Sequence, residues 1–208
     1  MDQNAIMKGT TTVGMVCSDG VVFAADKRAT MGYLIANRDV EKIAKVDDRM
    51  AMTIAGSVAD AQALIRIIRA EIQLYKLKRG GPMSVNSASS LLSNLMFQYK
   101  FFPFYVQILI GGMDELPHIY NLDPLGGMTE ETFVSTGSGS PIAYGLLEDS
   151  YVAEKAIKEN LPIAARAISV AMKRDCASGE GIDLVSITKT GVKKYKKEEI
   201  KKILEQVH

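Results

Sequence analysis

Histidine is scarce in this chain: of 208 residues, only His118 and the last one, His208, carry an imidazole. A Ser-His-Asp or Cys-His mechanism would have to rest on His118 alone, and that residue follows Pro117 in a Pro/Gly-rich turn region expected at the surface. Cysteine is equally scarce. Cys17 and Cys176 lie far apart, and with two histidines they are too few for a His/Cys metal cluster, so no metal and no other cofactor is expected. Residues 1–9 hold one lysine and no apolar centre, which does not read as a secretory signal; two reduced thiols in a cytoplasmic protein are expected. Long hydrophobic runs are missing too. The longest, residues 101–113, is interrupted by Pro103 and Gln107 and is too short to span a bilayer, so no membrane partner is expected. A net charge of +1 argues against nucleic acid as a partner. The lysine run over 189–202 is interleaved with Glu198 and Glu199 and reads as a solvated face. No Gly-rich loop follows the G-x-G-x-x-G or Walker pattern.

What remains is an ordinary globular composition, 47% hydrophobic and 24% charged, of a length that suits one domain. There is no internal repeat and no linker. Strands are predicted over 10–17, 21–25, 50–55, 104–110, 119–122, 133–136 and 182–188, with short extended pieces between 29 and 46. The Ser18-Asp19-Gly20 turn marks a hairpin, and Gly111-Gly112 is read as closing the 104–110 strand. Helical periodicity appears over 58–78, with Ala61, Leu64, Ile65, Ile68, Ile72 and Tyr75 on one face, and over 84–101. Further helices are predicted over 142–147, 152–159, 161–177 and 198–207. Strands, a helix pair, strands, more helices and a last strand do not alternate as a parallel α/β fold would. The order suits an α+β fold, two packed antiparallel sheets covered by helices in four layers.

Near the N-terminus stands Gly9-Thr10-Thr11-Thr12-Val13-Gly14. Threonines opening an apolar run read first as a strand, with Thr10 and Thr12 on one face and Thr11 on the other. Gly9 allows a second reading, because a glycine admits unusual backbone angles and leaves its carbonyl uncrowded. If Thr10 Oγ attacks that carbonyl, the peptide bond shifts to an ester, water cleaves it, and Thr10 becomes an N-terminal residue. Its free α-amine, with a pKa near ~8, can then serve as base for its own hydroxyl. A hydrolase built this way needs no histidine.

This stretch resembles the processing site of proteasome β-type subunits, the archaeal kind in particular, and the resemblance extends over essentially the whole chain. It implies a four-layer αββα sandwich of the N-terminal-nucleophile hydrolases, a pro-segment over 1–9, and one peptidase domain over 10–208. Asp26, at the end of the second strand, reads alone as a turn residue. Lys42, in Val40-Glu41-Lys42-Ile43-Ala44, reads as a solvated strand lysine or as a buried cation acting on Thr10. Both match the family's catalytic residues, and Arg28 completes a similar Asp-Lys-Arg stretch. Gly56, at a strand-to-helix junction in Ala55-Gly56-Ser57, resembles the family's oxyanion donor. Ser138 in Gly137-Ser138-Gly139, with Asp175 and Ser178 further on, matches the serines and aspartate that bond around the threonine amine. Ala29, Val40, Ile54 and Val58 resemble the specificity pocket; none is charged, so cleavage after apolar residues is expected.

The implied partners are other β-type subunits in a ring of seven, α-type rings, an ATP-dependent unfoldase acting through the α ring, and unfolded polypeptides as substrates. Two alternatives compete: a non-catalytic ring subunit, and the simpler bacterial ATP-dependent threonine peptidase. Intact Thr10, Asp26 and Lys42 argue against the first. The 1–9 segment and the C-terminal helix argue against the second. A small-molecule amidohydrolase of the same class would need a further substrate domain.

Overall fold

The computed structural model describes residues 9–205. One sheet contains β1 (Thr12–Cys17), β2 (Gly20–Asp26), β10 (Phe133–Thr136), β11 (Ile182–Thr188) and β12 (Gly191–Lys194), in the order β10-β1-β2-β11-β12. The other contains β5 (Ile43–Asp47), β6 (Met50–Gly56), β7 (Val106–Met113), β8 (Pro117–Leu122) and β9 (Met128–Glu130), paired consecutively. Every pairing is antiparallel, including the separate hairpin of β3 (Ala29–Met31) and β4 (Leu34–Asn37). The helices are α1 (Val58–Arg79), α2 (Val85–Gln98), α3 (Ser140–Ser150), α4 (Ile157–Arg174) and α5 (Lys197–Glu205).

Strand alternation sorts the apolar side chains into three cores and so makes four layers. On β2, Val22 and Ala24 face α3 and α4, where they meet Leu147, Leu161, Ala164 and Ile168. Val21, Phe23 and Ala25 face the other way, onto Ala51, Leu109 and Ile119 of the second sheet. The far side of that sheet, through Met52, Ile108 and Ile110, packs on Leu64, Ile68 and Ile72 of α1 and on Leu92 and Met96 of α2. The predicted α+β sandwich is the observed one.

Several boundaries differ from the predicted ones. β7 runs through Gly111 and Gly112 instead of closing before them, because glycine is what the contact between sheets requires there. A Cβ on Gly111 would lie 2.8 Å from the Phe23 ring, and one on Gly14 of β1 equally close. β1 begins at Thr12, two residues after the predicted start. No helix spans 152–159. α4 starts at Ile157, whose amide donates to Asp19 Oδ1 at 2.7 Å, and continues past Pro162 to Arg174. α2 ends at Gln98 rather than 101. His118 lies on β8, paired with Gly112, not in a turn. The short edge strands β9 and β12 were not predicted, and β12 with α5 occupies the lysine-rich stretch, where Lys193 and Lys194 are exposed. The last residues of the predicted C-terminal helix, like residues 1–8, fall outside the described ones.

Candidate active site

Thr10 sits just before β1, between the two sheets' ends and two loops. Its hydroxyl donates to the Gly9 carbonyl at 2.7 Å. Gly9 owes its place to lack of room: a Cβ there would lie 1.6 Å from the Ala177 Cβ. It is not among the left-handed glycines, so the expected unusual backbone angle is replaced by a steric requirement. Its amide donates to Thr30 Oγ1 at 3.0 Å. The predicted pro-segment, apart from Gly9, lies outside the described residues.

One polar cluster beside Thr10 is ionic. The β1–β2 pairing sets Thr12 against Ala25, so the next pair outward joins Thr11 to Asp26. Asp26 Oδ1 accepts from the Thr11 amide at 2.9 Å and from Lys42 Nζ at 2.7 Å. Its Oδ2 accepts from the amides of Arg28 at 3.0 Å and Gly179 at 2.9 Å. The Asp26 side chain is fully buried and that of Lys42 is 5% exposed, which decides for the buried cation over the solvated lysine. Burial pushes the Lys42 pKa below the ordinary lysine value, opposed by the charges of Asp26 and, more weakly, Asp175. Lys42 lies just ahead of β5, where its carbonyl accepts from the Ile54 amide at 3.0 Å. β6 therefore fixes its backbone.

The other cluster is built from hydroxyls. Ser138, in the loop from β10 to α3, and Ser178, in the loop after α4, each donate to Asp175 Oδ2 at 2.6 Å. With its proton on Asp175, Ser138 Oγ accepts from the Thr10 amide at 3.3 Å. Ser178 Oγ likewise receives the Thr11 hydroxyl at 2.7 Å. Glycines bring these loops close. Gly137 has φ +91°, and a Cβ on it would lie 2.0 Å from the Thr10 carbonyl oxygen. A Cβ on Gly139 would be as close to Thr11 Oγ1.

A cavity of about 680 Å3 opens at Thr10, and Ala29, Val40, Lys42, Ile54, Gly56 and Val58 all line it. Gly56 ends β6 with φ +128°, where a Cβ would lie 2.2 Å from Tyr105 O; only glycine fits that conformation and that space. Ser57 then caps the start of α1 by position, without a side-chain hydrogen bond. All four candidate pocket residues line the cavity with Thr10, Lys42 and Gly56, Ser138 bonds the Thr10 amide, and Asp26, Asp175 and Ser178 stand one contact further out, on Lys42, Ser138 and Thr11. Thr11, Thr30 and Gly179 also belong to the constellation and were not singled out in the sequence. Gly179 directly follows the candidate Ser178 in Ser178-Gly179-Glu180-Gly181. Its neighbour Glu180 holds Arg28 at 3.1 Å and has a left-handed φ of +68°. Among the described residues no group of three potential metal ligands converges, and no helix is long and apolar enough to cross a membrane.

Two sheets face to face between helix layers, with a threonine at the head of a central strand, define the N-terminal-nucleophile hydrolase fold. Residues 6–187 match the family described as "Proteasome subunit". The chain belongs to that family, on its β-type branch. It is 51% identical over 205 residues to the proteasome subunit beta of Methanocaldococcus fervens, covering 97% of this chain and 92% of that one. The corresponding subunit of Methanosarcina mazei is 52% identical over 203 residues, 97% of both chains. That of Archaeoglobus profundus is 52% identical over 204 residues, 97% of this chain and 95% of the other.

Proposed function

We infer that this chain is a threonine-type endopeptidase, made active by its own cleavage between Gly9 and Thr10. The observation that carries the reading is the Thr10 hydroxyl held 2.7 Å from the Gly9 carbonyl oxygen, next to the buried Lys42–Asp26 pair. In maturation, Thr10 Oγ adds to the Gly9 carbonyl carbon and the C–N bond breaks. An ester and a free Thr10 amine result. Water then hydrolyses the ester, leaving Gly9 as a carboxylate and Thr10 as an N-terminus.

In turnover, the Thr10 amine takes the hydroxyl proton while Oγ attacks the substrate carbonyl. Ser138, Asp175 and Ser178 position that amine, continuing the contact Ser138 already makes to the Thr10 nitrogen. Lys42, kept charged by Asp26, favours the developing alkoxide. Gly56, where no side chain intervenes, offers its amide to the oxyanion. The resulting ammonium gives its proton to the leaving amine as the substrate C–N bond breaks. Water, its proton taken by the freed Thr10 amine, then hydrolyses the acyl ester, and Thr10 Oγ recovers a proton.

The uncharged Ala29, Val40, Ile54 and Val58 favour leucine, phenylalanine or tyrosine before the cleaved bond, at about 25 cal/mol per Å2 buried. The relatives' name, proteasome subunit beta, supports assembly with further copies in a ring, which we take to be seven-membered, closed by α-type rings fed by an ATP-dependent unfoldase. Unfolded polypeptides are then the substrates, and the cytoplasm the setting. Peptide hydrolysis by the assembled protein tests the reading: Thr10→Ala is expected to remove it, and a Thr10→Ala protein that still hydrolyses peptides overturns it.

A further inference from the structure

The cavity beside Thr10 changes character along its length. One wall is the face of α1 that carries Val58, Gln62, Ile65, Arg66 and Arg69. Val58 follows Gly56 closely, whereas Arg66 and Arg69 stand about 12 and 16 Å further along the helix axis at 1.5 Å per residue. Side chains on a helix lean toward its N-terminus, which for α1 is the end at Gly56, so long arginine side chains reach back along the wall.

The charges at the far end do not cancel. The two carboxylates lining the cavity are engaged by lysines that do not line it: Asp39 by Lys27 at 2.7 Å, and Glu41 by Lys194 at 2.8 Å. Lys45, also on the lining, pairs with Asp48 at 3.1 Å. Arg69 donates through Nε to the Lys45 carbonyl at 2.9 Å. Among the described residues, neither Arg66 nor Arg69 has a carboxylate within salt-bridge distance. Arg69 Nη2 donates to the same Lys45 carbonyl, so Arg69 is anchored on the backbone, and the apolar collar near Thr10 leads to Arg66 as the guanidinium free to meet an anion.

We propose that Arg66, supported by Arg69, is a specificity determinant that draws a carboxylate at the tip of the substrate side chain preceding the cleaved bond. The inference rests on the peptidase reading. Within that reading, leucine remains the faster substrate because the collar is apolar. Among polar side chains of equal length, glutamate is preferred to glutamine, since the methylenes stay in the collar and only the carboxylate meets the guanidinium. Lysine is rejected by the same charge. Both arginines remain in contact with solvent, so the preference is the modest one of a screened ion pair, up to about fivefold.

The test uses the matured, assembled protein and four peptides differing only in that residue: leucine, glutamate, glutamine and lysine. The expected glutamate-to-glutamine ratio in kcat/KM is about three- to fivefold at low salt, falling toward one as added salt screens the pair. Arg66→Gln is expected to bring the ratio to one at all salt concentrations, and Arg66→Glu to favour lysine over glutamine. A ratio of one at low salt, or one indifferent to both salt and Arg66→Gln, overturns the proposal. The salt series on the unaltered protein decides if the variants fail to fold. Cleavage of the leucine peptide without glutamate discrimination refutes this inference alone. Failure to cleave any of the four removes the peptidase reading and this proposal with it.

Discussion

Two polar clusters flank Thr10, and they are built differently. Asp26 and Lys42 are full charges buried together, with the carboxylate also receiving the amides of Thr11, Arg28 and Gly179. Ser138 and Ser178 donate to Asp175, and the Thr11 hydroxyl joins them through Ser178, so this cluster is made of hydroxyls that can each donate and accept. The first cluster ties three segments of backbone to one carboxylate, so it serves the fold and the site at once. The second joins two loops at Asp175 and reaches the threonine nitrogen through Ser138. Fixed charge on one side and orientable hydroxyls on the other suit a residue whose hydroxyl must lose a proton to its own amine.

The comparison predicts graded effects. Asp26→Ala is expected to be the most damaging change, because it strands the Lys42 ammonium and three amides. Breaking one partner of a buried pair costs about 3–5 kcal/mol. Thermal unfolding should show a large loss of stability together with loss of activity; a stable, active Asp26→Ala protein would mean the pair is incidental.

Lys42→Ala separates the two duties. Asp26 keeps its three amide donors, so the melting temperature should fall much less than for Asp26→Ala. Peptide turnover should drop by on the order of a hundredfold or more, the usual cost of a well-aimed electrostatic group. Near-normal turnover by a folded Lys42→Ala protein would refute its proposed role.

Asp175→Asn probes the hydroxyl cluster. Weakening hydrogen bonds to a charged group costs roughly 1.5–3 kcal/mol, so turnover should fall about ten- to a hundredfold. It also carries a signature in pH. The Asp175 charge helps hold up the Lys42 pKa against burial, so its removal lowers that pKa further. If Lys42 must be charged, the alkaline limb of the kcat profile shifts to lower pH in Asp175→Asn. An unmoved limb would uncouple the two clusters.

Cys176 lies between Asp175 and Ser178, but its side chain is exposed. Cys176→Ser should change stability by no more than about 0.5 kcal/mol. Thiol alkylation near pH 8 should label Cys176 and spare Cys17, whose pKa burial pushes up to about 11. A large defect in Cys176→Ser would show that the loop acts through more than its aspartate and serine.

Most of the site is legible in the sequence through the resemblance to the family; taken alone, Asp26 reads as a turn residue at a strand end, Gly56 as a strand-to-helix junction and Ser138 as a loop serine between glycines. The α1 face was equally plain, since five of its six predicted apolar residues are buried and the sixth packs against them. What could not be read comes from segments distant in sequence. The start of α4 is set by Asp19, and the need for Gly9 is set by Ala177. Gly111 looked like a strand terminator because nothing in its neighbourhood announces the Phe23 ring pressed against it. The edge strands β9 and β12, short and rich in threonine, glutamate or lysine, carry little apolar alternation to detect.

The central claim is that Thr10 cleaves its own peptide bond, and intact-mass measurement with N-terminal sequencing tests it most directly. The unaltered protein, assembled with its partners, should lose residues 1–9 and begin at Thr10. Thr10→Ser, which keeps a hydroxyl, should be processed at the same bond, and Thr10→Ala should retain full length. A Thr10→Ala chain that loses the same nine residues would show that the bond is cut by another agent, and would contradict the account.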